Sequence, residues 1–469
     1  MELTELTIHF LTSFANLGLR SSRRLGARYR YFIDNMDATI FSESRLKPSR
    51  IIDLIEPFKK KIIKKGTLNE RRVLIELEDV EAKTSAILSE KVVTKIGSDK
   101  LEFNNADLLL AKIEPELGKV ILNSKTEKRI GSTEWVPLKL QKDIVRPAFL
   151  KYLLLNQKVL NALSLLKSGK IQARLPMEEL LQLKIPIPSI DLQKSLEPQL
   201  LAIDKQITTL AKSINPISKI CDEVFFKMHG LNISNELPRY FMTSFSDVSL
   251  TRLMRIGFRQ GTLAIKMREL QKSISDWVSL ASLAEVRGGK RLEKGTGYSS
   301  EPTNFRYLRN IDLEDGEIKI ESVKYISEEQ SKSIEKYQVF ENEIVMAIAG
   351  TVGKLSVVPK ELGTCNVTEN LAIIKPKESV VPEYLAYLLN SSIVQIQIQK
   401  EMSELRQQKL GIAKVRSLKI PKLPDKPRQI EVANTISGKV KHMREQKAKV
   451  QNLLVHAVRT VENVILEKK

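Results

Sequence analysis

Pro147-Ala148-Phe149-Leu150-Lys151-Tyr152-Leu153 returns as Pro382-Glu383-Tyr384-Leu385-Ala386-Tyr387-Leu388, an offset of 235 residues. Leu183-Lys184-Ile185-Pro186 returns at the same offset as Leu418-Lys419-Ile420-Pro421. Nearer the start, Phe10-Leu11-Thr12-Ser13-Phe14 returns at offset 231 as Phe241-Met242-Thr243-Ser244-Phe245. An offset that holds to a few residues over nearly the whole length means two copies of one unit in tandem. Each copy is about 230 residues, long enough to bury a core of its own.

Working outward, each copy passes the same stations. A basic opening segment, Ser22 to Arg30, matches Thr251 to Arg259. A short apolar element and a basic turn follow: Ile51 to Ile55 then Lys59, Lys60 and Lys61, against Leu280 to Ala284 then Arg287-Gly288-Gly289-Lys290-Arg291. Val73 to Leu77 and Tyr307 to Ile311 read as strands. So do Asp107 to Ala111 and Glu343 to Ala347, each leading through a turn to Gly-Lys (Gly118-Lys119; Gly353-Lys354). Short apolar runs bounded by Gly and Pro predict buried strands, and Pro147 and Pro382 suit the first turn of a helix.

Each copy closes on a long amphipathic stretch. In the first the apolar positions are Leu200, Ile203, Ile207, Leu210, Ile214, Ile217, Cys221, Val224 and Met228. In the second they run from Ile436 through Val440, Met443, Val450, Leu454, Ala457 and Val461 to Val464, broken by Lys447. Spacings alternating four and three define a narrow seam of the kind that pairs helices, here predicted as antiparallel partners. Leu192 to Met228 spans 37 residues, about 55 Å of helix. Pro216 is expected to kink it or end its regular hydrogen bonding.

The chain has 469 residues, 42% hydrophobic and 28% charged, an ordinary globular composition. Lys and Arg number 76 against 56 acidic residues, a formal charge of +20, which favours a polyanionic partner, nucleic acid first. Cys221 and Cys365 form no CxxC pair, and the four histidines have no metal spacing. The apolar stretch from Met1 to Leu19 is not read as a signal peptide, because its Phe-x-Thr-Ser-Phe core is repeated inside the chain. No apolar run reaches about 18 residues, and the reading is a cytoplasmic protein without a membrane span. Gly350-Thr351-Val352-Gly353-Lys354 has two residues between its glycines and Leu355 after its lysine, so it is a tight turn, not a phosphate loop. No nucleophile, metal or Asn-Pro-Pro-aromatic motif occurs. The chain is therefore read as non-catalytic, with no cofactor and no metal.

Two stations carry charge suited to a nucleic acid. The basic turn offers Lys59, Lys60, Lys61, Arg287, Lys290 and Arg291 to phosphates, with glycines in the second copy that permit close backbone approach. The other is Ser168-Gly169-Lys170-Ile171-Gln172-Ala173-Arg174-Leu175 against Ser403-Glu404-Leu405-Arg406-Gln407-Gln408-Lys409-Leu410. Here Gln172 meets Gln407 and Arg174 meets Lys409 at offset 235, with Lys170 and Arg406 beside them. Gln suits adenine and Arg suits guanine in the major groove, so an amide beside a cation fits direct readout.

This pattern resembles the specificity subunit of type I DNA restriction–modification systems. The tandem duplication carries the resemblance, together with Trp277-Val278-x-Leu280-x-x-Leu283-Ala284-Glu285-Val286, the Ala349-to-Gly353 turn, Pro382-x-Tyr384-Leu385-x-Tyr387-Leu388-Leu389, and a Lys-Ile-Pro step before a long helix. The resemblance implies an α+β fold of two tandem-repeated globular target-recognition domains, each followed by a long helix, the two helices pairing as an antiparallel coiled coil. The expected bounds are 10–188 and 241–424 for the domains, and 190–229 and 427–467 for the spacer helices. Implied partners are double-stranded DNA, read as two half-sites, two methyltransferase subunits docked on the helices, and motor–nuclease subunits. The first copy departs from the pattern: Arg50 stands at the place of Trp277 at offset 227, and its Lys112-to-Gly118 turn is longer, with Glu114 and Glu116. Two alternatives are the recognition part of another DNA-modification system and a basic scaffold that binds nucleic acid.

Overall fold

The computed structural model describes residues 40–123, 128–168, 173–231, 258–404 and 409–467. The Phe10 and Phe241 repeats, most of the basic opening segments, and Lys170, Gln172, Arg406 and Gln407 lie outside the described residues. The chain divides into two compact units. Of the described residues, those from 40 to 214 and from 445 to 467 form the first, and those from 215 to 444 form the second.

In the first unit the Lys-Ile-Pro step is a strand, Lys184–Pro186, paired antiparallel with Pro48–Arg50 near the unit's start. Beyond it lies a four-stranded sheet ordered Ile55–Glu56, Trp135–Leu140, Leu108–Ala111, Val120–Leu122. A five-stranded sheet is ordered Lys61–Ile63, Lys100–Glu102, Arg129–Gly131, Arg72–Ile75, Lys91–Val93. Its strands Arg72–Ile75 and Arg129–Gly131 run parallel. Leu108, Leu109, Leu110 and Ala111 are all fully buried, which explains their unbroken apolar run. The helix Pro147–Leu154 begins on its proline, as the sequence predicts.

The second unit repeats this plan. Lys419–Pro421 pairs with Trp277–Ser279. A four-stranded sheet is ordered Ala284–Gly288, Leu371–Pro376, Ile344–Ala347, Leu355–Val357. A further sheet, Lys324–Tyr325, Arg306–Leu308, Cys365–Val367, Gln338–Val339, again holds one parallel pair, Arg306–Leu308 with Cys365–Val367. Residues 350–353 form a tight turn between strands, with φ of +69° at Gly350 and +90° at Gly353. Trp277 pairs with Pro421 as Pro48 pairs with Pro186, so Pro48, not Arg50, is the counterpart of Trp277.

A one-turn 3-10 helix follows the first parallel strand in each unit, Leu77–Asp79 and Asn310–Asp312. In each, a buried aspartate folds back: Asp79 Oδ2 accepts from the Glu76 N–H at 2.9 Å, and Asp312 Oδ2 from the Arg309 N–H at 2.8 Å. The other oxygen takes a serine hydroxyl, from Ser89 and Ser322. Burial pushes Asp79 up, but the Ser89 hydroxyl, the Glu76 N–H and Lys91 outweigh it and hold the carboxyl below its ordinary value. A depressed aspartate stabilises the fold above the unfolded carboxyl range and loses that contribution as pH falls through its folded pKa. Protection of the Glu76 amide, its exchange relative to an unfolded chain at the same pH, is therefore expected to fall as the pH drops below about 4; unchanged protection there would count against the bond.

The first closing stretch is not one helix. Ile190–Ser213 and Ile217–His229 are separate, with Pro216 capping the start of the second. Proline has no N–H for the ladder and its ring disfavours helical backbone at Asn215, so the continuous 37-residue rod is replaced by helices of 24 and 13 residues. The other closing helix, Lys426–Ile465, is continuous over 40 residues. In the first unit, Leu200, Ile203, Ile207 and Ala211 share a buried cluster with Val450, Leu454, Ala457, Val461 and Ile465. Leu210 and Ile214, partly buried, pack against the same cluster, and Ala211 joins it as a buried member. In the second unit Phe225 meets Tyr384 edge-on, with centroids 5.4 Å apart, and Lys439 pairs with Glu223 at 3.0 Å.

One glutamine anchors each closing helix. Gln193 Oε1 accepts from the Arg146 N–H at 2.8 Å, while its Nε2 donates to the Ile144 and Pro188 carbonyls at 3.0 and 2.9 Å. Gln429 Oε1 accepts from the Val381 N–H at 2.9 Å, and its Nε2 donates to the Ser379 and Pro424 carbonyls at 3.2 and 2.8 Å. Both side chains are buried. Each glutamine ties the start of its helix to the loop before the proline-led helix of its own unit.

Candidate nucleic-acid interface

Arg174 is held by a short bridge. It exchanges both backbone bonds with Ser168 at 2.8 Å and pairs with Ile113 on the Lys112-to-Gly118 turn, while the Leu175 N–H donates to the Lys112 carbonyl at 2.9 Å. Lys409 is held the same way in the second unit: it pairs with Ala349, and the Leu410 N–H donates to the Ile348 carbonyl at 2.8 Å. The equivalence of Arg174 and Lys409 read at offset 235 is thus reproduced in backbone pairing. Each is the exposed residue that leans on the turn following the buried strand.

In the first unit the two basic stations converge. Lys60, Lys112 and Arg174 line one cleft of about 280 Å³, with Trp135, Ser168 and Pro176. Arg174 Nε donates to Glu134 Oε2 at 3.0 Å, and Lys112 Nζ stands 4.0 Å from the same oxygen. Burial lowers the Lys112 pKa; Glu134 opposes this, while Lys60 and Arg174 add to it by repulsion. The Glu134 carboxylate raises Arg174. Three cations around one carboxylate leave the cleft with a net positive charge. Lys59 and Lys60 are exposed, and Lys61 is exposed on its strand 3.2 Å from Glu102.

In the second unit Arg287 faces inward, bound to Glu343 at 2.9 Å and to the Gln338 carbonyl at 2.8 Å. Glu343 is only 4% exposed, and a buried carboxylate needs such a partner. Arg287 therefore orders the strand beneath the turn, and Lys290 and Arg291 are its exposed cations. Arg291 keeps 78% of its side chain exposed beside Glu369, which raises its pKa. The close approach that Gly289 permits is to the chain itself: an added Cβ would lie 2.1 Å from the Thr368 carbonyl. Tyr307 donates to the Lys290 carbonyl at 2.7 Å, fixing the turn.

A further repeat escaped the sequence reading. Lys65-Gly66-Thr67 recurs as Lys294-Gly295-Thr296 at offset 229. Both glycines have positive φ, +81° and +93°, where glycine is favoured. In both turns the threonine N–H and hydroxyl donate to the carbonyl three residues back, Lys64 and Glu293. Both lysines are exposed at the tips. A search at offset 229, rather than 235, finds them.

Among the described residues no group of three or more His, Cys, Asp or Glu is placed to hold a metal ion. No helix there is long and apolar enough to cross a membrane.

Comparison with known proteins relates part of this chain to a family. Residues 274–451 match the type I restriction modification DNA specificity domain. A stretch of 159 residues is 22% identical to the type I restriction enzyme EcoBI specificity subunit of Escherichia coli. It covers 34% of this chain and 33% of that relative, so the chain matches about a third of the relative's length. The type I restriction-modification S subunit from M. genitalium aligns over 90% of this chain and 96% of its own, at 15% identity and TM-score 0.44. The HsdS subunit from Thermoanaerobacter tengcongensis aligns over 89% and 95%, at 13% identity and TM-score 0.32. The match over residues 274–451 bears out the resemblance to type I specificity subunits.

Proposed function

We propose that this chain is the DNA-specificity subunit of a type I restriction–modification complex, in which two target-recognition domains, 10–188 and 241–424, each read one half of a bipartite DNA sequence. The observation that carries this reading is the doubled bridge, Arg174 against Ile113 and Lys409 against Ala349. One backbone device presents one cation on each unit, and the surrounding residues differ. A pair of similar readers addresses two half-sites. Lys59, Lys60, Lys65, Lys290, Arg291 and Lys294 neutralise phosphates, and Arg174 and Lys409 read base edges beside the segments that hold Gln172 and Gln407.

The closing helices, 190–229 and 427–467, pair antiparallel as the spacer between the domains. Support comes from the shared buried seam and from two cross-helix contacts: Gln199 meets His456, and Glu223 meets Lys439. Two methyltransferase subunits dock on this helical frame and supply the catalysis, and motor–nuclease subunits join them. The specificity chain itself contributes recognition and no reacting group.

Arg174→Ala and Lys409→Ala, each in the assembled complex, are expected to weaken binding of the cognate duplex on the order of 10-fold and to relax specificity at one position of one half-site. Lys65→Ala and Lys294→Ala are expected to weaken binding evenly across sequences and lower the salt slope by about one. Titration of cognate and scrambled duplexes at several salt concentrations measures both. Equal losses on both duplexes for Arg174→Ala would remove it from base readout.

A further inference from the structure

The one-turn helices Leu77–Asp79 and Asn310–Asp312 have a bonding frame that repeats and a tip residue that does not. The frame is the buried aspartate that accepts from the N–H three residues back and from a serine hydroxyl. Arg309 adds two guanidinium bonds to Asp312, at 2.7 and 3.1 Å. The residue before the aspartate is Glu78 in one unit and Ile311 in the other. Glu78 is exposed, and Ile311, a large apolar side chain, is 66% exposed.

Both turns rest against the element that carries the bridge. Asn310 Nδ2 donates to the Ala349 carbonyl at 3.3 Å, and Ala349 pairs with Lys409. An added Cβ on Gly350 would come within 2.7 Å of that same Asn310 nitrogen, so the turn closes directly over Asn310. In the first unit Lys119, one residue beyond the Lys112-to-Gly118 turn, donates to the Leu77 carbonyl at 2.7 Å. The tip residue therefore stands one position from the contact that joins it to the Arg174 or Lys409 bridge.

Resting on the DNA-specificity reading above, we infer that these turns are matched base-reading elements, with Glu78 and Ile311 as specificity-determining residues. Two units that read different half-sites need different side chains on a backbone frame that repeats, and this position meets both conditions. The chemistry assigns a partner to each. The methyl groups of Ile311 suit the C5-methyl of thymine, and the Glu78 carboxylate suits the N4 amino group of cytosine, both in the major groove.

The test expresses the full chain, as Ile311→Glu, Ile311→Val, Glu78→Ile or wild type, with the modification subunits of its own system, and reads the methylated motif by single-molecule sequencing. Ile311→Glu is expected to change the base accepted at one position of one half-site and to weaken the original duplex on the order of 10-fold. Ile311→Val keeps the original motif, and Glu78→Ile changes one position in the other half-site. Unfolding temperatures stay at the wild-type value, because both side chains are exposed. An unchanged motif in Ile311→Glu and Glu78→Ile, with binding within about twofold of wild type, overturns the inference while the specificity reading stands. A wild-type complex that marks no bipartite motif overturns the reading itself, and the inference with it.

Discussion

Gln193→Leu is expected to destabilise the first unit by about 2–5 kcal/mol, among the larger losses for a single polar side chain in this protein. Leucine has similar bulk, so the change isolates the hydrogen bonds. It strands the Arg146 N–H and the Ile144 and Pro188 carbonyls, which the fully buried Gln193 now satisfies at 2.8 to 3.0 Å. Each buried polar group left without a partner costs about 1–3 kcal/mol, far more than the apolar surface of leucine returns. Gln429→Leu is expected to act alike on the second unit through Val381, Ser379 and Pro424. Thermal unfolding of each variant checks the magnitude. A loss below about 0.5 kcal/mol, the range of ordinary surface substitutions, would show that the glutamines do not anchor the helices.

Removal of one heptad from each closing helix is expected to shorten the gap between half-sites while the half-sites themselves stay unchanged. Seven residues of helix are about 10 Å, which corresponds to about three base pairs of duplex. Deletion of 206–212 together with 443–449 retains the buried Lys151–Asp204 ion pair. It also brings Ile214 to the position of Ile207 and Val450 to that of Met443, so the seam stays in phase. The motif methylated by the assembled complex reads out the gap. An active deletion variant with an unaltered gap would remove the spacer role from the helices.

The repeated frame was largely legible in the sequence, because apolar runs and prolines have direct structural meaning. Pro147 and Pro382 start helices, Lys-Ile-Pro forms a strand in both units, and the Gly350-to-Gly353 segment is a turn. Pro216 was legible as a fault in the first closing helix, and the structure makes it a break. The parallel strand pairs were not legible, because strand partners far apart in sequence leave no periodic mark. Nor were the glutamine anchors. A single buried amide is indistinguishable from a surface one until its carbonyl and N–H partners are assembled around it.

The site divides in the same way. The equivalence of Arg174 and Lys409 was visible because it lies between two aligned blocks, whereas the aspect of Arg287 depends on Glu343, 56 residues away. Lys112 was read only as part of a longer turn. Its place beside Lys60 and Arg174 follows from three separate segments meeting at one cleft. Ile311 was read as the end of a strand, which in fact stops at Leu308, and Glu78 was not singled out. Their meaning is a difference between equivalent positions, and the equivalence is set by Asp79 and Asp312.

The central claim, that this chain confers a bipartite DNA specificity on a methyltransferase assembly, is tested most directly by single-molecule methylome sequencing of cells with and without its gene. The account predicts that one bipartite methylated motif, two half-sites around a fixed gap, disappears with the gene and returns when it is restored. A methylome unchanged by the deletion, in cells where the partner subunits are active, would contradict it.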